Sequence, residues 1–268
     1  VNLTDPQELR EFLKRHGLRA NKALGQHFLC SSKVVAGIVR RCMGCASVLE
    51  IGPGPGVLTV PLSHLGPLIA LEVDPRMVGA LRESAPLADV RQVDVLKADL
   101  PSILAELPEP RALVSNMPYC ITGPLLGAIG GAFRAFSKAV LMMQREVGLR
   151  VMAPPGSSGR GSLSVYLQAT FQISKAFDVP KGAFVPPPKV DSVVLELVPV
   201  FNAPNEQLLA FVRRCFGYPR KTLVNNLMSG LQASREQASA AVAALGLEHN
   251  VRPQELSLEQ WTALYKSL

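Results

Sequence analysis

Over the first forty residues the apolar positions recur with helical spacing. Leu9, Phe12, Leu13 and His16 stand at i, i+3, i+4 and i+7, which predicts an opening helix with one core-facing side. Thr4-x-x-Gln7 reads as its capping box. Val34, Val35, Ile38 and Val39 repeat the pattern and predict a second helix over about 33–41. From Ser47 the texture changes to short apolar runs alternating with helical stretches. The runs 47–51, 68–73, 90–93, 112–115 and 138–143 read as buried strands, with helical spacing between them at 57–65 and 76–83. Strands alternating with helices imply an α/β fold, a Rossmann-like, mainly parallel, doubly wound sheet. After a helical stretch at 146–152 and a loop at 154–161 come two more strand candidates, 165–173 and 190–198. Pro180 and the Pro186-Pro187-Pro188 run separate them, so the sheet is expected to end in an antiparallel, hairpin-like pair.

The stretch 199–204 looks like a linker. Beyond it, 207–216, a capping box Ser234-x-x-Gln237 ending at Gly246, and Ser257-x-x-Gln260 followed by Trp261, Leu264, Tyr265 and Leu268 read as helices. The expected division is a domain over 1–200, opening with a helical segment 1–45, and a small all-helical domain over 201–268. No internal repeat is visible.

Composition narrows the picture. Of 268 residues 48% are hydrophobic and 18% charged, which excludes a wholly disordered or collagen-like chain. No apolar run approaches the ~18 residues of a membrane span, and residues 1–5 do not open a secretory signal. Five cysteines, Cys30, Cys42, Cys45, Cys120 and Cys215, are widely spread and odd in number, as suits a reducing cytoplasm. Cys42-Met43-Gly44-Cys45 lacks two further ligands at zinc spacing, so no metal is expected and the pair reads as small apolar residues beside a strand. His64 and His249 read as surface or cap residues and Met142-Met143 as core. The formal charge of +7 is distributed unevenly: +4 over residues 1–40, −2 over 41–136, +3 over 137–200 and +2 over 201–268. An acidic centre flanked by basic segments suggests a polyanionic partner outside the centre.

The strongest chemical signal is Glu50-Ile51-Gly52-Pro53-Gly54-Pro55-Gly56, where the first strand turns into a helix. Glycines there let backbone approach a nucleoside ligand, and Glu72, ending the next strand, is placed to hold ribose hydroxyls. The dinucleotide fingerprint G-x-G-x-x-G is broken by Val57, and an acid two places before Gly52 suits a ligand with an ammonium group. S-adenosylmethionine has one and NAD does not. Asp94, at the third strand end, can accept from an adenine amine. The fourth strand leads into Ser115-Asn116-Met117-Pro118-Tyr119. An exocyclic base amine is a poor nucleophile because its lone pair is delocalised into the ring. The Asn116 amide oxygen and a backbone carbonyl beside Pro118 can accept both N–H bonds and orient that lone pair. Tyr119 can stack on the base, an interaction of about 1–3 kcal/mol.

With these motifs the chain resembles, over nearly its whole length, the KsgA/Dim group of S-adenosylmethionine-dependent small-subunit rRNA adenine N6,N6-dimethyltransferases. The resemblance rests on Leu24-Gly25-Gln26-His27-Phe28-Leu29, on the glycine turn followed by Val57-Leu58-Thr59, and on Asn116–Tyr119 followed by Ile121-Thr122-Gly123-Pro124-Leu125-Leu126. It extends to Gln144-Arg145-Glu146-Val147 and to Phe184-Val185-Pro186-Pro187-Pro188-Lys189-Val190-Asp191-Ser192. It implies a class I methyltransferase sheet and S-adenosyl-L-methionine as cofactor. Gln26, His27, Leu29, Glu50, Gly52, Gly54, Gly56, Glu72, Asp94 and Asn116 would bind that cofactor. Asn116, Met117, Pro118 and Tyr119 would form the catalytic segment, and Phe184 would stack on the flipped adenosine opposite Tyr119. The implied substrate is a pair of neighbouring adenosines in the 3′-terminal hairpin loop of 16S rRNA, within an immature small ribosomal subunit, modified by a cytoplasmic monomer.

Two positions depart from the group's pattern. Met117 stands where Leu is usual, a volume-conserving change. In Phe216-Gly217-Tyr218-Pro219-Arg220-Lys221-Thr222-Leu223 a proline replaces an expected arginine, which puts one phosphate contact and the local helix start in question. Arg213, Arg214, Arg220 and Lys221 remain as an RNA-binding patch, with a solvated helix face as the plain alternative. Rival readings are an Erm-type enzyme acting on 23S rRNA and a non-catalytic ribosome-assembly factor on the same fold. An NAD-dependent dehydrogenase is disfavoured by Val57 and the N-x-P-Y motif.

Overall fold

The computed structural model describes residues 1–20, 26–200 and 206–268. Its first helix, α1 (Pro6–Arg15), buries Leu9, Phe12 and Leu13 on one face, as their spacing predicts. The expected Thr4 capping box does not form. Asp5 is the cap, accepting from the Gln7 and Glu8 N–H groups, because Pro6 presets the first helical φ and leaves residue 5 to satisfy the free donors. Thr4 Oγ1 donates to Asn2 Oδ1 instead. There follow β1 (Phe28–Leu29), α2 (Ser32–Cys42), β2 (Ser47–Ile51), α3 (Thr59–Leu62), β3 (Leu68–Glu72), α4 (Pro75–Ser84) and β4 (Asp89–Gln92). Then come α5 (Leu100–Ala105), β5 (Arg111–Asn116), α6 (Thr122–Gly131), β6 (Lys138–Gln144), α7 (Arg145–Val151), α8 (Ser162–Thr170), β7 (Phe171–Val179), β8 (Phe184–Val185) and β9 (Ser192–Pro199). The last elements are α9 (Glu206–Cys215), α10 (Leu223–Leu231), α11 (Arg235–Ala244) and α12 (Leu258–Ser267).

Seven strands form one sheet in the order β4-β3-β2-β5-β6-β9-β7, and β1 pairs antiparallel with β8 in a separate two-stranded ribbon. From β4 to β6 the neighbours are parallel, with Leu49 opposite both Ile69 and Leu113. All five residues of β2 and of β3 are buried, as expected of strands covered on both faces, and Ser47, Glu50 and Glu72 are the polar residues among them. The chain steps from β2 to β3 and β4 on one side and resumes at β5 on the other. Such a reversal opens a crevice at the carboxyl ends of β2 and β5.

Three sequence expectations change. The predicted strand 165–173 is helix α8 up to Thr170, and β7 begins only at Phe171. Val165, Leu167, Ala169 and Phe171 alternate like a strand, but side-chain bonds from outside the run fix the helix. Ser164 Oγ accepts from the Gly161 N–H and donates to the Arg150 carbonyl, and the Gln168 amide donates to the Val151 and Ala153 carbonyls. The edge pair of the sheet is therefore β9 with this later β7, and β9 runs antiparallel to β6. The helix expected over 57–65 shrinks to Thr59–Leu62, since the turn occupies the residues before it and Pro61 lacks an N–H. Helix α10 was not foreseen.

The chain divides into two compact units, residues 1–148 with 173–199, and residues 149–172 with 200–268. In the first, the sheet packs on helices through residues such as Ile38, Val48, Leu62, Met77, Leu81 and Val114. In the second, Trp261 is fully buried among Phe211, Phe216, Leu223 and Leu227, with ring centroids of Phe216 and Phe211 at 5.7 and 6.3 Å. The helical unit thus takes in 149–172. Of the linker expected at 199–204, residues 201–204 lie outside the described residues, as do Leu24 and Gly25.

Candidate active site

A cavity of about 290 Å³ lies at the carboxyl ends of β2, β3, β4 and β5, within the first unit. Gln26, His27, Leu29, Glu50, Gly52, Gly54, Glu72, Asp94 and the whole run Asn116–Tyr119 line it. The parallel strands bring the ends of β2, β3, β4 and β5 to one place, and the segment around β1, which lies outside that sheet, completes the lining.

The acidic wall comes first. Glu50 lies on β2 and is 1% exposed. Among the described residues its buried Oε2 meets no hydrogen-bond partner, and the Thr59 hydroxyl beside it is likewise unpaired by ordinary hydrogen-bond geometry. Burial pushes its carboxyl up to about 8, with a nearby Thr59 hydroxyl opposing the shift and the Glu72 charge adding to it. Glu72 is also raised, chiefly by burial. It differs from Glu50 in being satisfied: Oε2 accepts from the Gly54 N–H at 3.0 Å and Oε1 from the Asp74 N–H at 2.9 Å. Glu72 therefore braces the glycine turn as well as facing the cavity. Asp74 caps α4 and is held below the ordinary carboxylate range by the Arg76 guanidinium, in a two-pronged contact at 2.6 and 2.9 Å. Its Oδ2 also accepts from the Gln26 amide at 3.4 Å, a contact the sequence reading missed. Asp94, half-exposed, accepts from the Leu96 N–H and lies 3.7 Å from Lys97. Val95 and the exposed Leu96 add an apolar floor there.

The second wall is the segment after β5. Asn116 Nδ2 donates to the His27 carbonyl at 3.4 Å. A carbonyl can only accept, so this contact fixes the amide's orientation and leaves Oδ1 as its free acceptor. The Pro118 carbonyl already accepts from the Ile121 N–H and the Thr122 hydroxyl. Of the two carbonyls flanking Pro118, that leaves Met117's for a ligand. Tyr119 is positioned by its hydroxyl, 2.8 Å from Ser192 Oγ, and burial raises its pKa while that hydrogen bond lowers it. The His27 ring lies 5.5 Å from the Tyr119 ring at 31°. His27 Nδ1 donates to the Pro186 carbonyl at 2.9 Å, which fixes the tautomer and joins the proline run to this wall. Ser192 is 73 residues from Tyr119 in the chain, so no local pattern reveals this partner.

Two expected site residues lie elsewhere. Phe184 is 2% exposed, paired with Leu29 across the β1–β8 ribbon and packed in the core of the first unit, so its ring does not line the cavity. Gly56 is not in the lining either. A Cβ there would stand 2.6 Å from Ser84 Oγ and 2.9 Å from Leu81 Cδ1, so this glycine serves the close approach of α4 to the turn. In the helical unit Arg213, Arg214, Arg220 and Lys221 are all exposed. Pro219 sits in the turn before α10, which starts at Leu223 with Thr222 as its cap, so the helix start is intact.

Residues 17–268 match the family described as ribosomal RNA adenine dimethylase. The chain is 39% identical to the ribosomal RNA small subunit methyltransferase A of Geobacter metallireducens, over 96% of this chain and 98% of that protein. Among solved structures, a dimethyladenosine transferase from Plasmodium falciparum aligns with a TM-score of 0.74 at 24% identity, over 90% of this chain and 98% of that one. The 23S rRNA methyltransferase ErmE aligns with a TM-score of 0.67 at 27% identity, over 90% and 99%.

Proposed function

Because the chain belongs to the ribosomal RNA adenine dimethylase family, we propose that it transfers methyl groups from S-adenosylmethionine to N6 of two adjacent adenosines in the 3′-terminal hairpin loop of 16S rRNA. Each adenosine is taken to the N6,N6-dimethyl form during small-subunit biogenesis. The protein is a methyltransferase of rRNA, and its fold is that of the class I methyltransferases. The finer reading adds an immature small subunit as the form that is modified, a monomeric enzyme and a cytoplasmic location. Among the described residues no helix is long and apolar enough to cross a membrane.

The observation that carries the proposal is one cavity holding both an unpaired buried carboxylate oxygen, Glu50 Oε2, and an amide oriented by a carbonyl, Asn116. The first fits the donor's ammonium group, Glu72 and Asp94 fit its ribose and adenine, and Gly52 and Gly54 allow the backbone to approach it. Bound there, S-adenosylmethionine supplies an electrophilic methyl group. The chain's part is to position the nucleophile. Asn116 Oδ1 and the Met117 carbonyl accept the two amine N–H bonds, and Tyr119 stacks on the extruded base. No general base is required, because the departing proton becomes acidic once the nitrogen is alkylated. After one transfer the amine keeps one N–H, so either acceptor suffices to readmit the singly methylated base. The basic helical segment 201–268 faces RNA in this reading.

Nucleoside mass analysis of rRNA from cells lacking the protein should show loss of N6,N6-dimethyladenosine from the small subunit. Purified protein should methylate unmodified small subunits and leave large subunits untouched. Transfer to the large subunit alone would favour the ErmE-like reading, to which the 27% identity gives weight. Asn116→Ala should abolish transfer and keep cofactor affinity within about tenfold, since one acceptor contact is worth roughly 0.5–1.5 kcal/mol. Retained RNA binding with zero turnover in the wild type would make the protein an assembly factor.

A further inference from the structure

We infer that Tyr218 is an RNA-stacking residue, receiving an rRNA base on its exposed ring in a sandwich whose other layer is the Lys221 ammonium. The inference rests on the rRNA reading above and adds a contact of a different kind from the phosphate contacts assigned to the basic patch.

From Gln207 to Arg235 the chain has no acidic residue and five basic ones, Arg213, Arg214, Arg220, Lys221 and Arg235. In the middle of this stretch Tyr218 is 51% exposed. Tyr119 and Tyr265 commit their hydroxyls to Ser192 and Gln207, whereas the Tyr218 hydroxyl bonds to no described residue. Its ring has one neighbour of note: Lys221 Nζ lies 4.2 Å from the ring centroid. A cation over one face draws π density to that side and leaves the opposite, electron-poorer face to stack on a base.

The backbone beneath this ring is rigid. Asn226 is 1% exposed, and its side chain accepts from the Tyr218 N–H at 2.8 Å and donates to the Tyr218 carbonyl at 2.9 Å. The same amide reaches the Lys221 and Thr222 carbonyls, and the Lys221 N–H donates back to Tyr218. Pro219 fixes the next φ. A flat ring on a preordered turn needs little further ordering to bind. Phosphates alone would be met by the arginines. An aromatic face offers a surface for a base, and stacking of this kind tolerates any base. Position 219, where a phosphate-binding arginine is expected from the family pattern, is here a proline that stiffens the ring's turn, so base stacking offsets a lost phosphate contact.

The test is equilibrium binding to unmodified small subunits, with methyl transfer at saturating subunit as a second readout. Tyr218→Leu should raise Kd by roughly 5- to 150-fold, the worth of one lost stack. Saturating subunit should recover the transfer rate, and Tyr218→Trp should restore Kd. The slope of log Kd against log salt should stay unchanged in Tyr218→Leu, whereas Lys221→Gln should flatten it by about 0.7–0.9. Unchanged Kd in Tyr218→Leu overturns the inference, as does failure of Trp to rescue. A photo-crosslinker at 218 that captures ribosomal protein and not rRNA also overturns it. A wild-type protein inert toward small subunits defeats the methylation reading itself, and that is seen before any substitution is made.

Discussion

At the scale of single residues, Glu50 is the most informative group. Its folded pKa, about 8, lies above the ordinary carboxylate value, chiefly through burial. The folded chain therefore holds a proton that the unfolded chain releases between pH 4.5 and 8. The stability this confers is fully present below the unfolded value and is lost as pH rises through about 8. In the proposed function a bound ammonium reverses the preference and holds Glu50 ionised. Cofactor binding below pH 8 should release a proton, and affinity should climb from pH 6 toward 8 before the ligand's own α-ammonium titrates, as read by calorimetric titration in buffers of different ionisation heat. Glu50→Gln should flatten that rise, lower affinity at pH 8 by about 10-fold, and raise Tm at pH 8. A pH-independent wild-type affinity would refute the assignment. Gly56 makes a purely structural prediction. At φ +97° and with Leu81 and Ser84 against its Cβ position, Gly56→Ala should cost about 1–3 kcal/mol in urea unfolding.

At the scale of elements, local signals and tertiary ones separate cleanly. The capping boxes of α11 and α12 form as read, with Ser234–Gln237 and Ser257–Gln260 exchanging both bonds. They involve only residues three apart, so spacing suffices. Helix α8 could not be read that way, because the groups that settle it, the Arg150, Val151 and Ala153 carbonyls, lie 14 to 17 residues back in the chain. The turn before α10 depends on Asn226 in the same manner. Asn226→Ala should strip the Tyr218 N–H and the Lys221 carbonyl of their partner and the Tyr218 and Thr222 carbonyls of one of their two bonds, costing about 2–4 kcal/mol in thermal or urea unfolding. Asn226→Asp should cost more, since a carboxylate offers nothing to the three carbonyls.

At the scale of the whole molecule, charge follows task. The −2 segment at 41–136 carries most of the cavity proposed for a cationic cofactor, and the flanking segments carry the basic excess. If Arg213, Arg214, Arg220 and Lys221 each neutralise one phosphate, log Kd for small subunits should rise with log salt at a slope of at least about 3. A flat salt series would remove the patch from the interface.

The sequence by itself determined the alternation of strands and helices, the glycine turn, the strand-end acids and the Asn116–Tyr119 segment, because each is a local pattern with a local cause. Tertiary structure decided what periodicity does not encode. It occupied the carbonyl of Pro118, oriented the Asn116 amide through the His27 carbonyl, and left Glu50 Oε2 unpaired among the described residues. It also turned Phe184 into the core and Gly56 onto α4. Hydrogen-bond capacity and burial are shared among groups far apart in the chain, so which of them remains free for chemistry is settled only once they meet.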